Sequence, residues 1–512
     1  MKKLLVAAIV VLMASPAFAA IQNVKVSGDI TSTFIDRNNF DLGVTGTVAE
    51  PNGLGGTTSV NEPLGLKKQN VFITQTRIRV DADLSDNVST TVGLLNERAW
   101  NSEQSIPGGG TNGVIGGDNT MVDIYLASVT MRELLYSPLT VTVGRQEFYY
   151  GNGLILGQGG VNNQSTGALG NIAQDFTDAT TYDGVKAVLD YKPLTIDMFY
   201  FKNGQTSKSL SGLYTASKNQ SSDVYGLNAN YQLSDPMNTV VEGYLFTRFD
   251  GKGFQSPNSF DNGVSNINDK NNSLYVPGLR ASTNPIKGLN VQGEFAWQLG
   301  QIVTQGTSIN QEAERRNAMA AQALATYSLP VLEKYKPSVN ASYTYVSGDK
   351  NGTVQNGNNG GGKKGKTYSA WDSFNEAQGG GTIYNTLYPL SNMNIIAVGA
   401  SVNPLEDVTT AFTWSNLWAA DKYSTNNPLD IYQPNSGNVS LGGVTGIQYV
   451  PGPGSKKDAR GLGNEYDVNV TYNYTEDVTF GVSLGWYVPG SALAIANRST
   501  ASQALADLAV KF

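Results

Sequence analysis

The polarity of neighbouring positions alternates near the end of the chain. In the stretch NEYDVNVTYNYTEDVTFGVSLGWYVPG, residues 464–490, apolar or aromatic residues occupy every second position and polar residues fill the positions between them. The alternation breaks at the short segment TED and then resumes from Val478 to Trp486. Because successive side chains of a strand point to opposite faces, this stretch predicts two long strands, each apolar on one face and polar on the other.

The same alternation recurs along most of the chain. Strands are predicted over residues 24–34, 72–84, 88–100, 139–151, 182–202, 225–248 and 289–300. Several of these segments run for ten residues or more, which is longer than most strands of soluble proteins.

The connections between these segments fall into two length classes. Compact turns are predicted at 85–87, 191–193, 234–237, 403–407 and 475–477. Long stretches rich in Gly, Asn and Ser lie at 37–69, 101–120, 151–180, 203–222, 250–272, 348–390 and 421–462. Short periplasmic turns that alternate with long extracellular loops are typical of outer-membrane barrels.

These patterns predict an all-β fold, a transmembrane antiparallel β-barrel of about 18 strands. A sheet in lipid must close on itself because no water can satisfy a free edge. The apolar faces would then meet lipid, and the polar faces would line a hydrated lumen. We expect both ends of the mature chain on the periplasmic side.

The first residues predict export. Lys2 and Lys3 precede an apolar run from Leu4 to Ala14, and Ala17-Phe18-Ala19 forms a small-residue cleavage site. This arrangement is typical of a secretory signal peptide, and the run is shorter than the ~20 residues of a spanning helix. We expect residues 1–19 to be removed and residues 20–512 to form one barrel domain in the bacterial outer membrane.

Composition excludes several classes of function. The chain contains no cysteine and no histidine, so it lacks thiolate ligands, the usual general base and the commonest metal ligand. We therefore expect no enzyme activity, no metal site and no cofactor. The net charge of −7 and the absence of a basic patch also disfavour nucleic acid as a partner.

Some aromatic residues and two connections lead to further expectations. An aromatic girdle at the membrane interfaces is predicted, with ordinary packing as the alternative, from Tyr472, Tyr474, Trp297, Trp414, Trp418 and Trp486. The stretch GNGLILG, 151–157, is expected to be a flexible loop. Residues 348–366 are expected to form an external loop, with a lumen gate or an ion site as the alternative.

Several motifs, in order along the chain, resemble the alginate-export family of outer-membrane barrels. They are VGRQEFYYGNGLILG (143–157), TYDGVKAVLDYKPLTIDMFYFK (181–202), EFAWQLG (294–300), ASYTYVSGD (341–349), SFNEAQGGGTIYNTLYP (373–389) and GNEYDVNVTYNYTEDVTFGVSLGWYVPG (463–490). The resemblance implies a monomeric barrel that passes solutes across the outer membrane. The terminal Phe512 also resembles the signal by which such barrels meet the barrel-assembly machinery.

Candidate pore-lining residues come from the resemblance and from strand parity. The matched motifs place Arg145, Asp183, Lys186 and Asp197 among the lumen residues, where alginate exporters carry arginines and a few carboxylates. Parity places further charged side chains on the inward face: Arg77, Arg79, Lys186, Arg280, Asp81, Asp83, Asp190, Asp197, Glu294, Glu465 and Asp467. The excess of carboxylates predicts a preference for cations or neutral solutes over anions and disfavours a polyanion.

Two details of this assignment remain open in the sequence. Parity points Arg145 outward, so either a bulge at Gly144 reverses the register or Arg145 lies at the rim, and we favour the bulge. Glu465 and Asp467 are expected to stand free in the lumen, opposite Arg77 and Arg79 across a constriction. The alternative is that the two carboxylates pair within the barrel wall.

The sequence therefore favours an outer-membrane channel for small hydrophilic solutes or saccharides. Its expected partners are outer-membrane lipid and the solute. The alternatives are an exporter of a polyanionic polysaccharide such as alginate, and a structural or adhesive barrel plugged by its own loops.

Overall fold

The structure of the chain is a computed structural model. It describes residues 23–40, 42–43, 45–51, 57–63, 68–100, 122–157, 176, 178, 180–205, 221–250, 272–304, 312–348, 367–378, 381–388, 390–421, 460–493 and 498–512.

Strands make up most of the described chain. They are β1 (Asn23–Asn38), β2 (Thr45–Pro51), β3 (Thr57–Pro63), β4 (Lys68–Ser85), β5 (Val88–Ala99), β6 (Asp123–Arg132), β7 (Leu139–Gln146), β8 (Tyr182–Asp190), β9 (Leu194–Gln205), β10 (Ser221–Gln232), β11 (Val240–Asp250), β12 (Asn272–Ile286), β13 (Leu289–Thr304), β14 (Glu312–Ser328), β15 (Ser338–Val346), β16 (Thr367–Tyr368), β17 (Met393–Leu405), β18 (Val408–Ala419), β19 (Gly461–Asn473), β20 (Val478–Pro489) and β21 (Ala501–Lys511). The described helical elements are α1 (Tyr384–Leu387) and a 3₁₀ turn at Glu333–Tyr335.

Eighteen of these strands form one closed antiparallel barrel, which confirms the predicted fold. Each barrel strand pairs with its sequence neighbours. The first strand, β1, pairs with both β4 and β21 and so closes the sheet. The other three strands are accessory: β2 and β3 pair with each other, and β16 runs parallel to β14.

The two rims of the barrel differ as the sequence predicted. At one rim, consecutive barrel strands are joined by connections of two to nine residues, and β1 begins and β21 ends there. At the opposite rim, the connections contain seven to 46 residues. This asymmetry assigns the first rim to the periplasm and the second to the cell exterior.

The faces of the strands follow the predicted parity. On β4, the outward Phe72 is 42% exposed, whereas its neighbour Ile73 is 1% exposed. On β19, Tyr466 and Tyr472 face outward and Glu465 faces inward, as expected from the alternation. The predicted girdle residues Trp297 and Trp486 are also exposed on the outer face.

The main apolar core lies inside the barrel. Phe148, Leu156, Trp371 and Ile383, all from connections at the extracellular rim, belong to one buried cluster with inward residues of the wall. Within the described residues, no helix is both long and apolar enough to cross a membrane.

Candidate functional site

The lumen is narrowed by two stretches of chain that enter from the extracellular rim. We call residues 147–157 the first lumen segment, and residues 367–378 together with 381–388 the second lumen segment. The first follows β7 directly and continues its alternation, so Phe148 and Tyr150 point inward. Their rings pack against Phe199, at 5.4 and 5.1 Å between centroids. The apolar residues Leu154, Ile155 and Leu156 are buried as well, so the stretch 151–157 is a loop, as predicted, but one that packs inside the barrel.

The two lumen segments bind each other through their backbones. Leu156 and Asn375 form a parallel bridge, and the Ala377 N–H donates to the Gly153 carbonyl at 2.7 Å. A side chain at Gly157 would bring its Cβ to 2.2 Å from the Cβ of Ala377. The glycine therefore permits the close approach. The two segments form a single obstruction across the lumen.

A buried charged cluster fixes one end of the second segment to the wall. Asp372 accepts hydrogen bonds from Arg248 at 2.6 and 3.2 Å and from Arg316 at 3.3 Å. Gln298 of β13 holds the Asp372 backbone on both sides, donating to its carbonyl at 2.6 Å and accepting from its N–H at 2.9 Å. Burial alone would raise the pKa of Asp372, but the two arginines outweigh it and lower that pKa. The segment is thereby anchored at β11, β13 and β14.

Two carboxylates of β19 fix the other end. Glu465 accepts the backbone N–H groups of Thr382, Ile383 and Tyr384 at 2.6, 2.8 and 2.6 Å. The Thr382 hydroxyl donates to Asp467 at 2.6 Å. The first N–H groups of a helix have no partner within it, so Glu465 satisfies the start of α1.

The expectation that Glu465 and Asp467 stand free in the lumen is therefore wrong. They are 0% and 2% exposed, because the second lumen segment covers them. The small neighbours on β20 do leave space, but Thr382 fills it. A Cβ on Gly485 would lie 2.2 Å from the Thr382 hydroxyl oxygen. The covered carboxylates cannot form the expected open constriction opposite Arg77 and Arg79.

The inward basic residues predicted by parity do face the lumen side, and each has a carboxylate partner. Arg77 binds Asp29 at 3.0 Å, and Arg79 binds Asp81 at 2.8 Å. The remaining two pairs are Lys186 with Asp197 at 3.9 Å and Arg280 with Glu242 at 3.1 Å.

Arg280 and Glu294 also contact the first lumen segment and its surroundings. Arg280 donates to Asn152 at 3.2 Å and to Gln292 at 2.8 Å. Glu294 is 6% exposed and accepts the Tyr244 hydroxyl at 2.7 Å. Both residues therefore act mainly in the supporting wall behind the obstruction.

The placement of Arg145 and Asp183 in the pore is wrong. No register shift occurs at Gly144 in the pairing of β7 with β6 or β8, so the predicted bulge is absent. Arg145 binds Asp183 at 2.8 and 3.0 Å on the outer face, near the extracellular ends of β7 and β8. Their side chains are 41% and 61% exposed. The rim position spares Arg145 the mid-membrane cost of a lipid-facing charge.

A third contact between a connection and the wall involves Phe176 and Asp178. The Asp178 N–H donates to Glu97 at 2.5 Å, and Gln75 donates to the Phe176 carbonyl at 2.6 Å. Burial raises the pKa of Asp178 to about 6, although Arg77 opposes this shift. This carboxyl therefore titrates close to neutral pH.

A cavity of about 310 Å³ remains between the second lumen segment and the wall strands β14, β15 and β17. Residues of both lumen segments and of these three strands line it. Residues 349–366, for which an ion site or lumen gate was an alternative, lie outside the described residues.

Sequence reasoning missed the residues that build the obstruction. Asp372, Arg248 and Arg316 were not singled out, although parity with Glu242 and Tyr244 places Arg248 on the inward face of β11. The available signal was the apolar content of two long connections. Residues 154–156 and 371–374 carry more apolar side chains than an exposed glycine-rich loop requires.

Solved structures align with the chain over nearly its whole length. OccAB1 of Acinetobacter baumannii aligns with a TM-score of 0.50 and 10% identity, covering 97% of this chain and 99% of that chain. The outer membrane protein OprD of Pseudomonas aeruginosa aligns with a TM-score of 0.48 and 10% identity, covering 96% of each chain. At this identity the similarity concerns the fold alone. Among curated proteins, none is significantly similar in sequence.

The family is established by sequence. A family model described as alginate export matches residues 61–507, which is most of the chain. The match spans β4 through most of β21 and includes both lumen segments. The chain therefore belongs to the alginate-export family, and it is a barrel of the bacterial outer membrane.

Proposed function

We propose that this barrel is a narrowed channel through which small hydrophilic solutes cross the outer membrane. The observation that carries the proposal is the obstruction itself. Two lumen segments lie inside a barrel of 18 strands, and buried polar contacts hold the second segment to β11, β13, β14 and β19. Barrels of 16–18 strands otherwise leave a wide aqueous channel, so a fixed internal constriction is the means of limiting what passes.

The charge arrangement supports small neutral or weakly cationic solutes over a polyanion. Among the described residues, Arg77, Arg79, Lys186 and Arg280 are each paired with a carboxylate. A polyuronate chain would need unpaired basic groups along its path. Where each basic group already has a carboxylate partner, that carboxylate repels the carboxylates of the polymer. The paired wall offers it little net attraction.

Export of an acidic polysaccharide is the second candidate, and family membership favours it. Arg79 is the most exposed of the four inward basic side chains, at 48%. It would have to exchange Asp81 for a substrate carboxylate.

Reciprocal variants of the Arg79–Asp81 pair test the two functions. In planar bilayers with a salt gradient, we expect the reconstituted barrel to conduct with a weak preference for cations. Arg79→Gln should strengthen that preference, whereas Asp81→Asn should shift it toward anions, because each variant leaves the other charge unpaired in the path. A clear anion preference in the wild type, together with block by an oligouronate but not by a neutral oligosaccharide, would favour the exporter. Absence of conductance would reject both and favour a plugged barrel.

The remaining properties belong to the same proposal. The chain is exported through cleavage after residue 19, residues 20–512 form one domain, and the barrel acts as a monomer without catalytic activity. Its insertion depends on the barrel-assembly machinery, and its outer face contacts membrane lipid.

A further inference from the structure

The cavity beside the second lumen segment is lined by uncharged groups. Among the described residues, its lining includes no Asp, Glu, Lys or Arg. The lining comes from both lumen segments and from β14, β15 and β17. This neutrality contrasts with the charged pairs that line other parts of the inward wall. A charged ligand would lose its hydration here without gaining an opposite charge.

Side-chain amides dominate the polar part of this lining. The Gln322 amide donates to Gln378 at 2.6 Å and to the Thr344 hydroxyl at 2.9 Å, and Gln378 donates to the Asn152 carbonyl at 2.9 Å. An amide offers both donors and acceptors. A ligand rich in hydroxyl groups can satisfy both kinds of partner.

Gln322 also has an unmet hydrogen-bonding group. Its side chain is 6% exposed, and its Oε1 atom accepts no hydrogen bond from the described part of the chain. A buried acceptor without a donor costs free energy. A hydroxyl that reaches this oxygen after a small rotation of the amide would supply the missing donor.

The remaining lining is apolar or aromatic. Leu324, Leu390 and Ile395 contribute aliphatic surface, and Tyr149 and Tyr384 contribute rings. Aromatic and aliphatic surface with a few convergent polar groups is typical of sites for small molecules, and a volume of about 310 Å³ lies at the small end of such sites. The C–H face of a sugar ring packs on surface of this kind, while its hydroxyl groups reach the amides.

We propose that this cavity is a binding site for a neutral, hydroxyl-rich solute of about monosaccharide size, held against Gln322 and Gln378. The proposal rests on the channel function proposed above and names the solute class for it. Binding here would place the solute directly beside the obstruction.

The test compares three sugars that differ in charge. Binding of glucose, glucuronate and glucosamine to the folded full-length barrel in detergent micelles is measured by calorimetric titration. We expect saturable binding of glucose, and binding about tenfold weaker or less for the two charged sugars. Equal binding of all three, or no saturable binding of glucose, would overturn the proposal.

Two alanines on β17 provide a matched pair of variants. Ala397 lines the cavity, whereas Ala400 is exposed on the outer face. Ala397→Leu fills the cavity and should weaken glucose binding by about tenfold or more, while Ala400→Leu should leave it unchanged. Gln322→Met removes the amide and should weaken binding by about tenfold, as expected for the loss of one or two hydrogen bonds. Equal effects at Ala397 and Ala400 would contradict the assignment.

Conductance of the same preparations separates this inference from the channel function. Glucose binding without conductance would reject the channel and leave the site. Conductance without glucose binding would overturn the site and leave the channel.

Discussion

Replacing Asp372 by Asn should release the second lumen segment from the wall. The carboxylate accepts three hydrogen bonds from Arg248 and Arg316 and a fourth from the Phe374 N–H. Both guanidinium groups are almost fully buried. Of its partners among the described carboxylates, Arg248 would then retain one, Asp250 at 3.2 Å.

The size of the effect follows from the burial of the partners. Removing one member of a buried charge pair costs about 3–5 kcal/mol, because the other charge stays buried without compensation. The cost falls on the docking of the segment and not on the barrel, whose backbone pairing is unchanged. The equilibrium constant for local opening should therefore increase by roughly 10²–10⁴-fold.

Hydrogen exchange in lipid nanodiscs measures this opening. The Trp371 N–H, which donates to the Ser347 carbonyl at 2.9 Å, and the Asn375 N–H, which donates to the Ile155 carbonyl at 3.1 Å, report on it without touching the altered group. Their exchange should accelerate by the factor given above, and the conductance should rise as the segment leaves the lumen.

Asp183→Asn is the matched control. It breaks an exposed pair with Arg145, and such pairs contribute about 0–1 kcal/mol. The reporter amides of this variant should exchange as in the wild type. If Asp372→Asn also left them within about twofold of the wild type, the charged cluster would not be the anchor, and the reasoning would fail.

Glu465→Gln should leave barrel folding intact on heat-shift gels. It should accelerate hydrogen exchange of the Tyr384 N–H by about tenfold or more, because that N–H loses a charged acceptor. Unchanged exchange would contradict the capping role of Glu465. Burial raises the pKa of Asp178 from 3.8 to about 6 in the folded protein. Burying its side chain is therefore most favourable below pH 3.8 and becomes less favourable as the pH rises through 6. In urea titrations, the change in the free energy of unfolding caused by Asp178→Asn should therefore be more stabilising at about pH 7.5 than at about pH 4, by up to about 3 kcal/mol. The same change at both pH values would refute this. Sequencing of the mature protein should begin near Ala20, and an intact Met1 in outer-membrane fractions would contradict cleavage.

The strands were predictable because lipid imposes one rule on every residue of the barrel. Each position either faces hydrocarbon or faces the lumen, so polarity alternates over whole strands. This rule placed Glu465 and Tyr466 on opposite faces correctly. It also pointed Arg145 outward, and the structure agrees. No bulge is needed to turn Arg145 inward, because its position near the rim already avoids the cost of a charged side chain that faces lipid at the bilayer centre.

The obstruction was not predictable by the same rule. Parity states that Glu465 faces inward, but it cannot state that residues 382–384 lie on top of it. That contact joins positions more than 80 residues apart along the chain, through a connection without strand periodicity. The apolar run of Leu154, Ile155 and Leu156 in the first lumen segment indicates burial of some kind, yet it does not identify the partner.

Family membership and solute choice depend on different residues of this barrel. The motifs at 143–157 and 373–389, on which the resemblance rests in part, are the ones that build the lumen segments and join them at Leu156 and Asn375. They account for a narrowed lumen whatever solute passes. The solute must instead be selected by side chains that face the space left open, such as Gln322 in the cavity and the Arg79–Asp81 pair on the wall. Because the first is uncharged and the second is internally neutralised, a barrel of the alginate-export family can favour a neutral solute without any change in its architecture.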